Sequence, residues 1–157
     1  MRVFNDLEGL KIAVEIEKRG VEIYRHAQRI CTAARARELL ARLEADERRH
    51  QDEFLALLQG KEEASEYSLE QSAYLSAMAA DVVFSGGLVE MGKQTGFDSP
   101  EAILRCAIQA EKDSLLFYGA ILEESPDPAT RAVFSEIIRQ ERGHLEVLIQ
   151  MMEEEKK

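Results

Sequence analysis

Two short motifs in this chain combine a carboxylate with an imidazole at the spacing of one helical turn: Glu47-Arg48-Arg49-His50 and Glu141-Arg142-Gly143-His144. Residues three apart on a helix share a face, so each motif aims one carboxylate and one imidazole at a common point. Each motif is preceded by a further glutamate at the same distance, Glu17 and Glu111, since 47 − 17 and 141 − 111 are both 30. Glu17-Lys18 followed by Tyr24 recurs as Glu111-Lys112 followed by Tyr118, and 111 − 17, 118 − 24, 141 − 47 and 144 − 50 are all 94. Equal offsets put the copies at equal heights if the two halves are related by a pseudo-twofold axis.

These glutamates fall on stripes that are otherwise apolar. The first stripe reads Leu10, Val14, Glu17, Val21, Tyr24, Gln28; the second Ala36, Leu40, Leu43, Glu47, His50, Phe54, Leu57. The third reads Leu104, Ala107, Glu111, Ser114, Tyr118, Ile121, and the fourth Thr130, Phe134, Ile137, Glu141, His144, Leu148, Met151. A buried, ionised, unpaired carboxylate costs several kcal/mol, and no Lys or Arg lies on these stripes near the four glutamates. Two divalent cations balance four carboxylates, with His50 and His144 binding as neutral imidazoles. A Glu from each of two helices and a Glu-x-x-His from each of two others is the ligand pattern of di-iron and di-manganese bundles. Carboxylate and imidazole without thiolate favours two Fe ions per chain, with Mn or Zn as alternatives and Ca disfavoured.

The elements that must position these donors read as helices. Pro occurs only at Pro100, Pro126 and Pro128, and the long segments free of it carry helical periodicity with no alternating strand pattern. Helices are expected over about residues 6–32, opened by the capping box Asn5…Glu8, and 34–60, closed by Gly60. A third is expected to start at Asp98-Ser99-Pro100 and run to about Glu124, and a fourth to follow Ser125-Pro126-Asp127-Pro128. The fold class is therefore all-α: one domain over 1–157, an antiparallel four-helix bundle of two hairpins, about 6–60 and 98–154. Residues 61–97 form the crossover, with a short helix from Ser68 to the Gly86-Gly87 break. Tyr74, Met78, Val82 and Leu88 give that segment more apolar surface than solvent tolerates, so a homodimer is expected.

With 20 Lys and Arg against 30 Asp and Glu among 157 residues, the net charge is −10, which disfavours nucleic acid and anionic membrane surfaces as partners. No signal-peptide core or membrane-length apolar run is present, so a cytoplasmic location is expected. Cys31 and Cys106, the two cysteines, lie far apart and are read as structural. Around the donors, Tyr24 and Tyr118 are candidates to hydrogen-bond metal carboxylates; the alternative is core tyrosines satisfied elsewhere. Asp46 and Gln140 are candidates to orient the histidine of the opposite hairpin through its second nitrogen; the alternative is an exposed flank. His26 falls off the face of Glu17 and is read as solvated.

Taken together, Glu17-Lys18-x-Gly20-x-x-x-Tyr24, Glu47-x-x-His50, Glu111-Lys112-Asp113-Ser114-x-x-Phe117-Tyr118 and Glu141-x-x-His144 resemble the signature of the rubrerythrin branch of the ferritin-like superfamily. The resemblance spans essentially the whole chain. It implies a ferritin-like bundle around a non-haem di-iron centre that reduces hydrogen peroxide in oxidative-stress defence. Two departures stand out. The rubredoxin-like domain with four cysteines, common in that family, is missing here, so an external donor, rubredoxin-like or flavoprotein, must supply electrons. The further glutamate one turn after the third-helix ligand is Ser114 here, which also brings the site closer to bacterioferritin-type ferroxidase centres. The alternatives to peroxide reduction are oxidation of Fe(II) by oxygen, with iron as substrate, and a metal-bearing structural module without turnover.

Overall fold

The structure, a computed structural model, describes residues 5–62 and 99–157. These residues form four helices and no strand: α1 (Asp6–Ile30), α2 (Ala34–Glu62), α3 (Pro100–Glu124) and α4 (Pro128–Glu155). The expected crossover helix and the apolar residues assigned to a dimer contact lie outside the described residues. Helix starts obey the sequence repeat, because 100 − 6 and 128 − 34 are again 94.

Each start has a local cause. Asn5 Oδ1 accepts from the Glu8 amide and Glu8 Oε2 accepts from the Asn5 amide, both at 2.9 Å, closing the capping box of α1. Ser99 Oγ accepts from the Ala102 amide at 3.1 Å and Asp127 Oδ2 from the Thr130 amide at 2.8 Å, each cap followed by a proline in the first turn. α1 and α3 both end in an extended residue, Cys31 and Ser125, whose N–H still bonds back to Ala27 and Ile121.

Gly60 does not end α2, contrary to the sequence expectation; the helix runs on to Glu62. Lys61 Nζ lies 2.9 Å from Asp127 Oδ2, so the N-cap of α4 is tied to α2. Ser125 Oγ donates to Asp6 Oδ2 at 2.7 Å and ties the second hairpin turn to the start of α1.

Each helix packs on two neighbours, α1 on α2 and α3, α4 on α3 and α2. Tyr24 meets Glu111 while Tyr118 meets Glu17; residues later in one helix face residues earlier in the other, so α1 and α3 run antiparallel. The pairs His50–Gln140 and His144–Asp46 make the same point for α2 and α4. The result is a four-helix bundle. Stripes three and four are buried at every position read from the sequence. On α1 the buried arc is wider and turned: Ile12, Ala13, Ile16, Ile23 and Ala27 are inside, whereas Val14 and Gln28 are only partly covered. A helix wedged between two neighbours buries more than one narrow stripe. Cys31 and Cys106 are both buried, and both thiols are free. No helix among the described residues is long and apolar enough to cross a membrane.

Candidate metal centre

At mid-bundle each helix delivers its donors to one level. Glu17 comes from α1, Glu47 and His50 from α2, Glu111 from α3, Glu141 and His144 from α4, and none is more than 5% exposed. They form two groups, Glu17, Glu47, His50, Glu141 and Glu47, Glu111, Glu141, His144, with the donor atoms of each within 4.8 Å of one another. Glu47 and Glu141 belong to both. Glu141 turns Oε1 to His50 Nδ1 and Oε2 to His144 Nδ1, each at 2.8 Å. His50 Nδ1 also lies 3.5 Å from Glu17 Oε2, and His144 Nδ1 lies 3.0 Å from Glu47 Oε1 and 3.6 Å from Glu111 Oε1. The two imidazole rings are nearly parallel, their centroids 5.6 Å apart.

Close as these atoms are, Glu17 Oε2, Glu47 Oε1, both oxygens of Glu141 and Nδ1 of both histidines are buried without a hydrogen bond. Buried polar atoms are almost always satisfied. These atoms crowd to within 2.8–3.5 Å of one another without bonding, an arrangement that could hold a metal ion. Carboxylate and imidazole donors without thiolate could hold a metal ion of hard-to-borderline character.

The outer nitrogens are occupied. His50 Nε2 lies 3.0 Å from Gln140 Oε1 and His144 Nε2 lies 3.2 Å from Asp46 Oδ2. Both acceptors come from the opposite hairpin. An Nε2–H donated to them leaves the Nδ1 lone pair free on each ring. Tyr24 Oη donates to Glu111 Oε1, and Tyr118 Oη donates to Glu17 Oε1 at 2.5 Å. The two carboxylates that are not shared are therefore each held by a tyrosine from the other hairpin. His26 is half-buried on α1 and belongs to neither donor group.

Proton affinities report how poorly four carboxylates share this space. Burial and then the charge of Glu141 push the Glu111 carboxyl up to about 8. Burial, followed by Glu141, Glu17 and Glu111, raises Glu47 well above the carboxylate range, and burial with Glu141 raises Glu17. Burial opposes ionisation of Glu141 too, yet the two imidazoles beside it prevail and hold it at about 2. For the histidines burial favours the neutral ring, but the neighbouring carboxylates outweigh it and push His50 to about 10 and His144 to about 11. Protons take the place that cations would otherwise fill.

The surroundings are not equal on the two sides. Phe54, one turn beyond His50, packs on Phe134 and Tyr118 at centroid distances of 4.8 and 5.4 Å, and those two rings lie 5.5 Å apart, closing the Glu17 side with aromatic rings. On the other side a cleft between α1 and α3 reaches Glu47, Glu111 and Tyr24 past the small residues Gly20, Ala110 and Ser114. It holds about 10 Å³, room for one water. Gly20 is there for a reason of space: a Cβ on it would stand 2.6 Å from Glu47 Oε2. The sequence alone assigns no role to Gly20 or Arg49; the signal for Gly20 is its place one turn after Glu17. Ser114 Oγ donates to the Ala110 carbonyl at 2.9 Å and contributes no donor to the centre.

Comparison with protein-family models, with curated proteins and with solved structures finds no match to this chain. What the site does has to follow from its own geometry.

Proposed function

We propose that this protein is a rubrerythrin-like, ferritin-like di-iron oxidoreductase that reduces hydrogen peroxide with electrons from an external donor. The observation that carries the reading is the set of buried donor atoms without hydrogen bonds, divided into two groups that share Glu47 and Glu141. Glu17 and His50 would hold one iron and Glu111 and His144 the other, with the shared glutamates between them. Bound there, the pair supplies two electrons and Lewis acidity to a small oxidant.

The chain's own residues support a small substrate. The cleft admits something the size of water past Gly20 and Ser114 and offers no space for an organic molecule. Tyr24, which lines it, keeps its proton because burial and Glu111 raise its pKa well above the usual phenol value. Peroxide needs two electrons and two protons to become two waters, and solvent reaching the cleft is the proton source. The phenylalanines on the opposite side exclude water. The two cysteines are buried and unpaired, and burial pushes Cys106 up to about 12, so neither is placed to relay electrons. A separate donor, a rubredoxin-like protein or a flavoprotein, fits that arrangement.

Rapid mixing of the reduced, iron-loaded protein with peroxide and with oxygen tests the proposal. Faster oxidation by peroxide, with turnover only when a donor is added, is expected. Equal rates, or oxidation of successive Fe(II) additions without peroxide consumption, would instead make iron the substrate and the protein a ferroxidase.

A further inference from the structure

Both outer acceptors of the histidines are touched by one more side chain. Arg49 Nη2 lies 2.8 Å from Gln140 Oε1 and 2.8 Å from Asp46 Oδ1. Gln140 Oε1 is the atom that faces His50 Nε2, and the other oxygen of the Asp46 carboxylate faces His144 Nε2. The amide of Gln140 is fixed from its far end as well, where Nε2 donates to Glu136 Oε1 at 2.8 Å. The contact with Gln140 is a hydrogen bond and that with Asp46 an ion pair. The position equivalent to Arg49 in the second hairpin, 49 + 94, is Gly143, so the bundle has a single such group, on one face.

We propose that Arg49 is a positioning residue for both imidazoles, yoking Asp46 and Gln140 so that the orientation of His50 depends on that of His144. The inference rests on the metal-centre reading. An ordinary structural role explains the geometry poorly. Arg49 is 52% exposed, and a surface ion pair contributes little to stability. What the contact does fix is the identity of the atom each histidine meets. With Arg49 donating to Gln140 Oε1, the amide cannot flip to present its NH2 group to His50, so the ring keeps Nε2–H outward and its Nδ1 lone pair inward. With Arg49 on Oδ1 of Asp46, Oδ2 stays aimed at His144.

The test uses the full-length protein loaded with Co(II), in which ring N–H protons of bound histidines appear as shifted, solvent-exchangeable NMR signals. Two such signals are expected. Arg49→Ala should speed exchange of both and weaken Co(II) binding about tenfold, the lower end for loss of an outer partner. Arg49→Lys should restore part of the protection, and Arg48→Ala, which removes an ion pair with Glu44 on the same helix, should change neither signal. The discriminating variant is Asp46→Ala: it should speed exchange at His50, which Asp46 does not touch, as well as at His144. If wild type shows both signals and Arg49→Ala leaves their exchange unchanged, Arg49 is not a positioning residue although the metal centre stands. If wild type binds no Co(II), the metal centre falls and this inference with it. An altered melting temperature in Arg49→Ala with both signals intact would also overturn it, assigning the residue to the link between α2 and α4.

Discussion

In the first hairpin Glu17 and His50 are fully buried beneath Phe54, Tyr118 and Phe134. In the second, Glu111 and His144 retain 4% and 5% exposure beside a cleft lined by Gly20 and Ser114. The donors obey the 94-residue offset without exception, while the layer around them departs from it. Phe54 corresponds to Leu148, Phe134 to Leu40, Gly20 to Ser114, Asp46 to Gln140 and Arg49 to Gly143. The donors match in both halves, where each buried carboxylate faces the same need for a compensating charge. The outer layer is under no such constraint, and its divergence gives one side a seal and the other an approach. The two donor groups thereby acquire different access to solvent.

The largest effects should come from breaking the comparison at its shared members. Glu47 and Glu141 each belong to both donor groups, so Glu47→Gln and Glu141→Gln should each weaken both ions. Each loss should exceed the roughly 10- to 100-fold typical of losing an outer partner. Glu17→Gln should weaken one ion and leave the other. Without metal the two shared residues part company. Glu141 is the ionised partner of two charged imidazoles, and its loss should destabilise the apo bundle by about 3 kcal/mol, as breaking a buried pair does. Glu47 is held protonated by burial and its neighbours, so a neutral amide there should leave apo stability nearly unchanged. Metal titration and chemical denaturation of the chelated proteins, run side by side, check both statements; equal apo losses would refute the assigned division of charge.

The next effect distinguishes the apo from the loaded centre by pH. Glu111 titrates at about 8 in the folded apo protein, against an ordinary 4.5. Between those values the folded state keeps a proton that the unfolded chain has released, so stability falls as pH rises. His50 and His144, at about 10 and 11 against 6.5, act with the same sign above 6.5. Glu141, held at about 2, acts with the opposite sign, but only below 4.5. From pH 5 to 8 the apo protein should therefore melt at progressively lower temperature. Metal binding requires deprotonated ligands and strengthens with pH, so the loaded protein should lose less, or gain. Calorimetry across that range with and without chelator decides; a rising apo melting temperature would mean these carboxyls are not buried as described.

Much of this was legible in the sequence, and the reasons differ by residue. The donors announced themselves because a glutamate on an apolar stripe has few physical explanations, and a repeat at constant offset removes chance from most of them. Helix starts were legible at Asn5, Ser99 and Asp127, where a side chain caps the amides of the next turn. The helical course through Gly60 was not, because a glycine permits a stop without requiring one. The turned face of α1 escaped because periodicity gives the direction of a buried face but not its width. Arg49 escaped for a plainer reason: it sits on the exposed side, where an arginine needs no explanation until its neighbours across the bundle are known.

The smallest effect sharpens the comparison where the hairpins differ by one side chain, Gly20 against Ser114. Gly20→Ala would bring a Cβ to 2.6 Å from Glu47 Oε2 and 3.2 Å from its Cγ, closer than ordinary contact allows. Glu47 is the far end of a flexible side chain, so the helix can stay in place while the carboxylate moves. The expected outcome is a folded bundle in which the shared ligand is displaced, with metal affinity down about tenfold. Ser114→Ala removes only a hydroxyl that bonds to the Ala110 carbonyl of its own helix. Such back-bonding competes weakly with the helix, and alanine has the higher helical propensity by a few tenths of a kcal/mol, so stability should rise slightly and metal affinity should hold. Both residues line the same cleft, and a test of melting temperature alone would confuse the two. Measuring Co(II) affinity beside it separates them, because the first change acts on a ligand and the second on a wall. Should Ser114→Ala lower affinity as far as Gly20→Ala does, Ser114 would have to reach the ions after all, and the difference between the two sides would be smaller than their sequences suggest.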